Sequence, residues 1–504
     1  MDQPENRTRA RTMVAGFAWN ALGRGLPLLL ALALTPLLIQ QLGVERWGLF
    51  TLALALVGVF GVFDFGVGQA LTRAVSERIG TGRAGEAAGL VGAALVALAG
   101  FSLVLAGLLW LVVPMLVERV LNVPPALQPQ AVAGMRVLAA AAPLVVLNAA
   151  LWGVLAAYQR FRDANLVTIP VNIFYYLGPV LVLLVWDDLM AVMLTLVAVR
   201  LANTVSYLLL LRRLVREVLG TRLRLALVLP LLRLGGWMTF SGVLTQALLY
   251  ADRFLIGALL TLAAVAYYAT PLDLVLRVWM LPVAVAQTLL PAFASAYAAQ
   301  PGETAALLRR GGLMVLGLVL PVGLLLAAGG QEILALWLGP DFAAGGGMVL
   351  RILGVGIVFS CVAFVPNALL DAIGRPDATA RFSLAQAVLY LPLATLMLLA
   401  FGIEGAAVAW TLRCLVDCIG KLWLAARLYP AAGEAVRRLR PVLAAAAGGL
   451  ALMPLVAGHA AMAALGLAVM AVFVVLAFRA LDREERAGLR GALRHPRLLL
   501  RAGS

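Results

Sequence analysis

The 504-residue chain has almost no lysine: Lys421 is the only one among 39 basic residues. Histidine occurs twice, at His459 and His495. Charged residues make up 12% of the chain, about half their share in soluble domains. That scarcity excludes a soluble globular protein. The three cysteines, Cys361, Cys414 and Cys418, fall inside apolar segments, so a disulfide framework is excluded. The sequence has no metal-ligand cluster, no phosphate-binding glycine loop and no Ser-His-Asp set. No connection is long enough for a soluble catalytic domain.

Hydrophobicity is what the chain has in excess. It is 63% hydrophobic, with a mean hydropathy of +1.00. Backbone groups in lipid must pair within their own segment, so apolar runs of ~20 residues read as helices. About fourteen such runs follow one another, the first at 14–39 and the last at 461–480. A polar tail, Met1 to Thr12, leads into a first run that holds Asn20 and Arg24 and is too long and too polar for a cleavable signal. Prolines recur within the runs, Pro143, Pro170, Pro179, Pro366 and Pro392 among them, and are hinge candidates.

The net charge of +15 does not mark a nucleic-acid binder. The arginines recur in short loops on every second turn, from Arg7, Arg9 and Arg11 to the tail after Arg479. The opposite loops carry Asp187, Asp188, Glu332, Asp341 and Glu404. This positive-inside asymmetry places both termini in the cytoplasm.

A weak internal repeat divides the chain. A shift of 220 residues aligns Gly16 with Gly236 and Trp47 with Tyr267. LAAYQRFRD (155–163) echoes LDAIGRPD (370–377), each closing a fourth run. The expected organisation is a cytoplasmic tail (1–13), a six-helix lobe (14–211) and a basic linker (212–234). A second six-helix lobe (235–428), two further helices (441–480) and a basic tail (481–504) follow. Two lobes of like orientation imply a pseudo-two-fold along the membrane normal, with a cargo path between them.

Charges inside the runs are the functional signal. A charge at the bilayer centre costs about 3 kcal/mol on insertion scales. Arg24, Arg200, Arg253, Arg277, Arg351, Arg413 and Lys421 are basic; Asp64, Asp252, Asp273 and Asp417 are acidic. Asp273 and Arg277 are spaced i, i+4, as are Arg413 and Asp417, then Asp417 and Lys421, so each pair shares a helix face. Asp252, Asp273, Asp417, Arg253 and Lys421 are ion-pair candidates, and Arg351 can snorkel. Arg24 and Arg277, near mid-depth, are candidate cargo contacts, with Arg200, Arg413 and Asn20 beside them. The guanidinium fork suits phosphate. Asn148, Asn172, Gln246, Tyr175 and Tyr176 line a polar path or bridge helices. Asp64 is a candidate coupling carboxylate for a proton or sodium ion, since burial raises a carboxyl pKa.

NALGRGLPLLLALALTPLLIQQLGVERWGLF (20–50) and DFGVGQALTR (64–73) resemble the start of bacterial Wzx-type oligosaccharide-lipid flippases. DRFLIGALLTLAAVAYYATP (252–271), WLGPDF (337–342) and NALLDAIGRPD (367–377) fit the same pattern. The resemblance implies an all-α polytopic fold like the drug antiporters of the multidrug/oligosaccharidyl-lipid/polysaccharide exporter superfamily. It implies transport of a polyprenyl-pyrophosphate-linked oligosaccharide across the inner membrane, with no enzymatic step and no cofactor. The implied partners are the anionic lipid-linked cargo, membrane lipids, a polysaccharide polymerase and a chain-length regulator. Lipid II flippases of this superfamily use arginines on their first and eighth helices, where Arg24 and Arg277 fall here. Lipid II flippase and drug/cation antiporter are the alternative functions. The arginine excess disfavours a cation antiporter, and the short outer loops disfavour a polymerase or ligase.

Overall fold

A computed structural model describes residues 27, 29–60, 71–72, 74–214, 248–482 and 485–487. Asn20, Arg24, Asp64, Gln246 and nearly all of the 212–234 linker lie outside them. Every regular element among the described residues is helical, as internal backbone pairing in hydrocarbon requires. In chain order they begin with α1 (29–42), α2 (Val44–Phe60), α3 (Ala84–Met115), α4 (Gln128–Ala140) and α5 (Ala142–Ala157). Next come α6 (Phe161–Leu183), α7 (Leu189–Leu214), α8 (248–259), α9 (Leu262–Leu276), α10 (Met280–Ala296) and α11 (Pro301–Leu338). The remainder are α12 (Pro340–Val362), α13 (Phe364–Ala372), α14 (Pro376–Leu428), α15 (Ala432–Leu452) and α16 (His459–Ala480).

Among the described residues, nine helical stretches are long and apolar enough to cross a membrane. One of them, α14, is two helices joined at Gly402, whose φ of +61° only glycine adopts readily. The expected runs 382–402 and 404–428 are both there, with the turn between them.

Contacts divide the chain into two compact units, Met1–Ala269 and Thr270–Ser504. In the first, α5 packs on α3 and α7, and α6 packs on α7. Leu90, Val91, Leu151, Val154 and Tyr207 form part of its core. The helix α8 and the start of α9 also belong to this unit. A Cβ at Gly48 would stand 1.9 Å from the Leu262 carbonyl oxygen, so only glycine lets α2 approach that backbone. Asn122 donates its backbone N–H to the Gly257 carbonyl at 2.7 Å and its side-chain amide to the Leu260 carbonyl at 2.8 Å. These contacts set the contact boundary inside α9.

The repeat has a structural signature in each unit. The fourth run of the first half breaks at Ala141, just before Pro143. Its counterpart breaks at Ala363, just before Pro366. Proline cannot donate the helical hydrogen bond and crowds the preceding turn. Both runs also stop alike. Arg160 N–H bonds the Leu155 carbonyl and Arg375 N–H bonds the Leu370 carbonyl, each at 2.9 Å. This six-residue closure needs a left-handed residue just past the helix. Gly374 supplies it at φ +73°, but in the first half Gln159 does, at φ +55°. A side chain there costs about 1 kcal/mol relative to glycine. Gln159→Gly is expected to raise the thermal midpoint in detergent micelles, and Gly374→Gln to lower it. No shift in either variant would mean the closure carries no strain.

In the second unit, α11 and α12 meet through glycines, as membrane helices do where backbones come close. A Cβ at Gly354 would lie 2.7 Å from Leu326 Cβ, and one at Gly330 would lie 2.7 Å from Arg351 Cγ. Arg351 does not snorkel. Its Nε donates to the Ala327 carbonyl and its Nη2 to the Met453 carbonyl, each at 2.9 Å. Both acceptors sit at interruptions: Gly329 is non-helical within α11, and Met453–Leu455 is a 3-10 turn after α15. The arginine therefore fastens the last two helices to α11. At their other end, Asp482 pairs with Arg309 and Arg438, and Glu485 pairs with Arg309 at 2.8 Å and with Arg310.

Arg351→Met leaves two carbonyls unpaired, at about 1–3 kcal/mol each. Hydrogen exchange across 453–470 is expected to accelerate in that variant; unchanged exchange would show that packing alone holds the segment. The second fastening responds to pH. The hydrogen bond from Arg309 holds the Asp482 carboxyl below the usual range. Burial pushes Glu485 up, but the Asp482 backbone N–H and the two arginines outweigh it, and the net direction is down. Both carboxylates stabilise the folded state above the ordinary carboxyl range, and that contribution is lost as pH falls through their lowered values. Exchange near 480–487 is expected to rise below about pH 4 and to stay flat between pH 6 and 8.

Candidate functional site

A polar cavity of about 560 Å³ opens in the first unit, between α5, α6 and α7. Val146, Ala150, Val154, Ala164, Tyr207 and Leu211 of these helices are buried in one shared cluster. Asp188 accepts from the Met190 backbone N–H at 3.1 Å and so caps the start of α7. Arg160 and Asp163 pair at 2.6 Å at the start of α6. Pro170 and Pro179 lie inside α6, on either side of the cavity residues.

Asn148, Asn172, Tyr175, Tyr176 and Arg200 all line this cavity. Each lies well inside its helix. The guanidinium of Arg200 lies 5.5 Å from the centre of the Tyr175 ring, and its Nη2 reaches the Tyr175 hydroxyl at 3.4 Å. Cation–π attraction of this kind is worth about 1–2 kcal/mol when desolvated. Asn148 bridges helices: its amide donates to the Arg200 carbonyl at 3.2 Å, and its oxygen accepts from the Thr204 hydroxyl at 2.9 Å. The Tyr207 hydroxyl is paired with Thr168. Among the described residues, nothing pairs with the Asn172 amide or the Tyr176 hydroxyl. Arg200 Nε and Asn203 Oδ1 are buried without a hydrogen-bond partner among the described residues. No carboxylate lines the cavity among the described residues.

Pro27 also lines this cavity, and Arg24 precedes it by three residues, outside the described part of the chain. Arg277 is exposed and begins a 3-10 step, Arg277–Trp279, between α9 and α10. Such a step inside a long helix marks a hinge. Trp279 holds it by donating to the Ser360 hydroxyl at 3.0 Å. Asp273 lies one turn earlier on α9. Arg413 lies 5.2 Å from the centre of the Tyr390 ring. Asp417 and Lys421 form the expected pair at 2.9 Å. Asp252 is buried and accepts from the Tyr268 hydroxyl at 2.7 Å, while Arg253 lies over Tyr250 at 5.2 Å.

Trp152, Asn203 and Tyr207 complete the cavity and were not among the expected site residues. Their signal was helical spacing: Trp152 is four residues from Asn148, while Asn203 and Tyr207 are three and seven from Arg200. Arg136, also not anticipated, sits 5.3 Å over Trp110 on the neighbouring helix.

In the second unit, a cavity of about 650 Å³ runs between α14 and α15. Its lining is almost wholly apolar, with Phe359, Phe382 and Trp423 along it and Arg440 as its one arginine.

Known proteins resemble this chain over most of its length. A Shigella flexneri protein, whose name assigns it provisionally to O-antigen transport, is 25% identical over 431 residues, 83% of this chain and 98% of that one. An inward-facing multidrug-resistance MATE family transporter of the MOP superfamily superposes with a TM-score of 0.68 at 15% identity, covering 81% of this chain and 96% of its own. The lipid II flippase MurJ, in an inward closed conformation, also gives 0.68 at 12% identity, covering 97% and 99%. At such identities the two structures show a shared fold. The polysaccharide biosynthesis protein family model matches residues 13–297. That match spans more than half of a helical membrane protein with the exporter fold, and the chain belongs to the polysaccharide biosynthesis protein family.

Proposed function

We propose that the chain is a flippase for a polyprenyl-pyrophosphate-linked oligosaccharide. It moves the headgroup from the cytoplasmic to the periplasmic leaflet of the bacterial inner membrane, and both termini face the cytoplasm. The observation that carries this reading is Arg200 in a polar cavity with no carboxylate among its described lining residues. An unbalanced cation in a membrane cavity favours an anionic cargo and opposes a cationic one. A pyrophosphate sugar crossing hydrocarbon unaided meets a prohibitive desolvation cost. A cavity lined by arginine, amides and phenols replaces that lost hydration.

Arg24 and Arg277 complete the proposed anion path, with Asn20 and Arg413 beside it. The apolar groove between α14 and α15 suits the polyprenyl tail, with Arg440 available to the anionic headgroup. The two six-helix lobes rock between inward- and outward-open states. Transport needs no nucleotide chemistry in this chain; an ion gradient or the membrane potential drives it, with Asp64 as the candidate coupling group. The polymerase and chain-length regulator of the same pathway act on the delivered product.

A lipid-linked oligosaccharide flipped in reconstituted vesicles tests the reading. Arg200→Ala is expected to slow translocation about 10- to 100-fold, the equivalent of one charge-assisted hydrogen bond, at unchanged protein level. Arg200→Lys falls between, because a point charge lacks the fork. Under an imposed pH gradient, Asp64→Asn loses the acceleration that the parent shows. Normal flipping by Arg200→Ala would take this cavity off the cargo path.

A further inference from the structure

The cavity of the first unit is too weakly charged to be a pyrophosphate site by itself. Its described lining offers one guanidinium, and that group already faces the Tyr175 ring. Around it stand amides, phenols and an indole: eight of the thirteen lining residues carry a side-chain N–H or O–H. Apolar groups dominate most small-molecule pockets, with only a few polar groups among them. A polar lining this dense, inside a membrane unit, is a costly arrangement unless a polar ligand meets it.

The unspent hydrogen-bonding capacity is of mixed kind, and this discriminates between ligands. Arg200 offers donors only. Asn203 Oδ1 is an acceptor without a partner among the described residues. The Asn172 amide and the Tyr176 hydroxyl each both donate and accept. A phosphate oxygen accepts only, so it leaves the acceptors unmet. Sugar hydroxyls donate and accept at once. The aromatic side chains give the rest: Trp152 is 46% exposed, and Tyr175 and Tyr176 stand edge-to-face at 5.3 Å. Flat aromatic surface beside polar tips suits a ring that has one apolar face and a rim of hydroxyls.

Resting on the flippase reading, we infer that this cavity is a sugar subsite. It takes one pyranose ring of the cargo, with Arg200 holding an anionic group one bond from that ring. The ring lies against Trp152 and Tyr176, and its hydroxyls meet the Asn172 amide, with Asn203 behind it. Asn148 acts as a positioning residue: it spends both ends of its amide on α7 and fixes Arg200. The volume of about 560 Å³ falls within the range of small-ligand sites, roughly 300–1,000 Å³. The anionic group has two possible sources, a phosphate on the anomeric carbon or a carboxylate on the ring, and the cavity's chemistry is the same for both. In either case this subsite selects among cargoes by the sugar, while the remaining arginines serve any pyrophosphate.

Saturation-transfer NMR on the full chain in lipid nanodiscs tests the assignment. The probes are the 1-phosphates of glucose, galactose and N-acetylglucosamine, their methyl glycosides, methyl glucuronide and inorganic phosphate. At least one anionic sugar is expected to bind tenfold more tightly than inorganic phosphate and than its own neutral glycoside. A 1-phosphate preferred over glucuronide assigns the anion to the anomeric phosphate, and the reverse assigns it to a ring carboxylate. Asn172→Leu and Trp152→Ala, checked for an unchanged melting profile, are expected to lower that affinity at least tenfold and leave inorganic phosphate binding as it was. The inference is overturned if inorganic phosphate binds as well as every sugar, if no probe binds, or if both variants bind sugars like the parent. Flipping of the complete lipid-linked oligosaccharide in vesicles separates the two claims. If flipping persists while sugar binding fails, only the subsite falls; if no glycan lipid is flipped at all, the flippase reading itself fails.

Discussion

An unpaired polar group in hydrocarbon costs several kcal/mol, and this molecule is arranged around that cost. The backbone meets it by being helical wherever regular structure is described. Hydroxyls meet it by turning inward: Thr35, Thr168, Thr195 and Ser102 each bond a carbonyl four residues back on their own helix. Where helices break, another group must serve the freed carbonyl. Arg351 does so at two breaks at once. The same penalty that forbids a bare charge thereby converts one into a fastening between α11, α12 and the last helical pair.

The intramembrane charges fall into classes by how each is met. Lys421 is answered by Asp417 on its own helix face, and Asp252 by a tyrosine. Arg351 is answered by backbone. Arg200 differs, because its described surroundings are polar but uncharged, and part of their hydrogen-bonding capacity is unspent. A structural ion pair would have a carboxylate in reach. A packing arginine would have its donors filled. Arg200 satisfies neither description, which is why the functional reading centres on it.

Much of this was legible in the chain. The runs, the asymmetry of the loops and the repeat follow from hydropathy and spacing alone, and the echo of 155–163 in 370–377 corresponds to one helix-ending motif used twice. Asn148, Asn172, Tyr175 and Tyr176 were readable as lining a polar path or bridging helices, and Arg200 as a candidate cargo contact, since helical spacing puts neighbours on one face. What escaped was tertiary. The partners of Arg351 are carbonyls, which every residue has, exposed by breaks at Gly329 and Met453 that hydropathy does not mark. The closeness of Gly48 to Leu262 joins residues more than two hundred positions apart, and a glycine gives no sign of what its missing side chain admits. Trp152 and Asn203 lie at helical spacing from Asn148 and Arg200, but nothing in their residue types set them apart from their neighbours.

The two halves share a helix-ending motif but differ in their polar contents. Each half closes its fourth run with the same motif and breaks that run shortly before a proline, so this part of the scaffold is duplicated. The polar contents are not. The cavity of the first unit holds neutral amides and phenols around one arginine among its described lining residues. The second unit holds the Asp417–Lys421 pair, the 3-10 step at Arg277 and an apolar groove. In the flippase reading, a repeated helix-ending motif with unlike polar contents suits a cargo with unlike ends. A sugar needs mixed donors and acceptors, a phosphate needs cations, and a hydrocarbon tail needs a surface that offers neither. Identical halves could satisfy only one of these needs. Divergence on a shared frame satisfies all three without changing the helix packing that keeps the backbone paired.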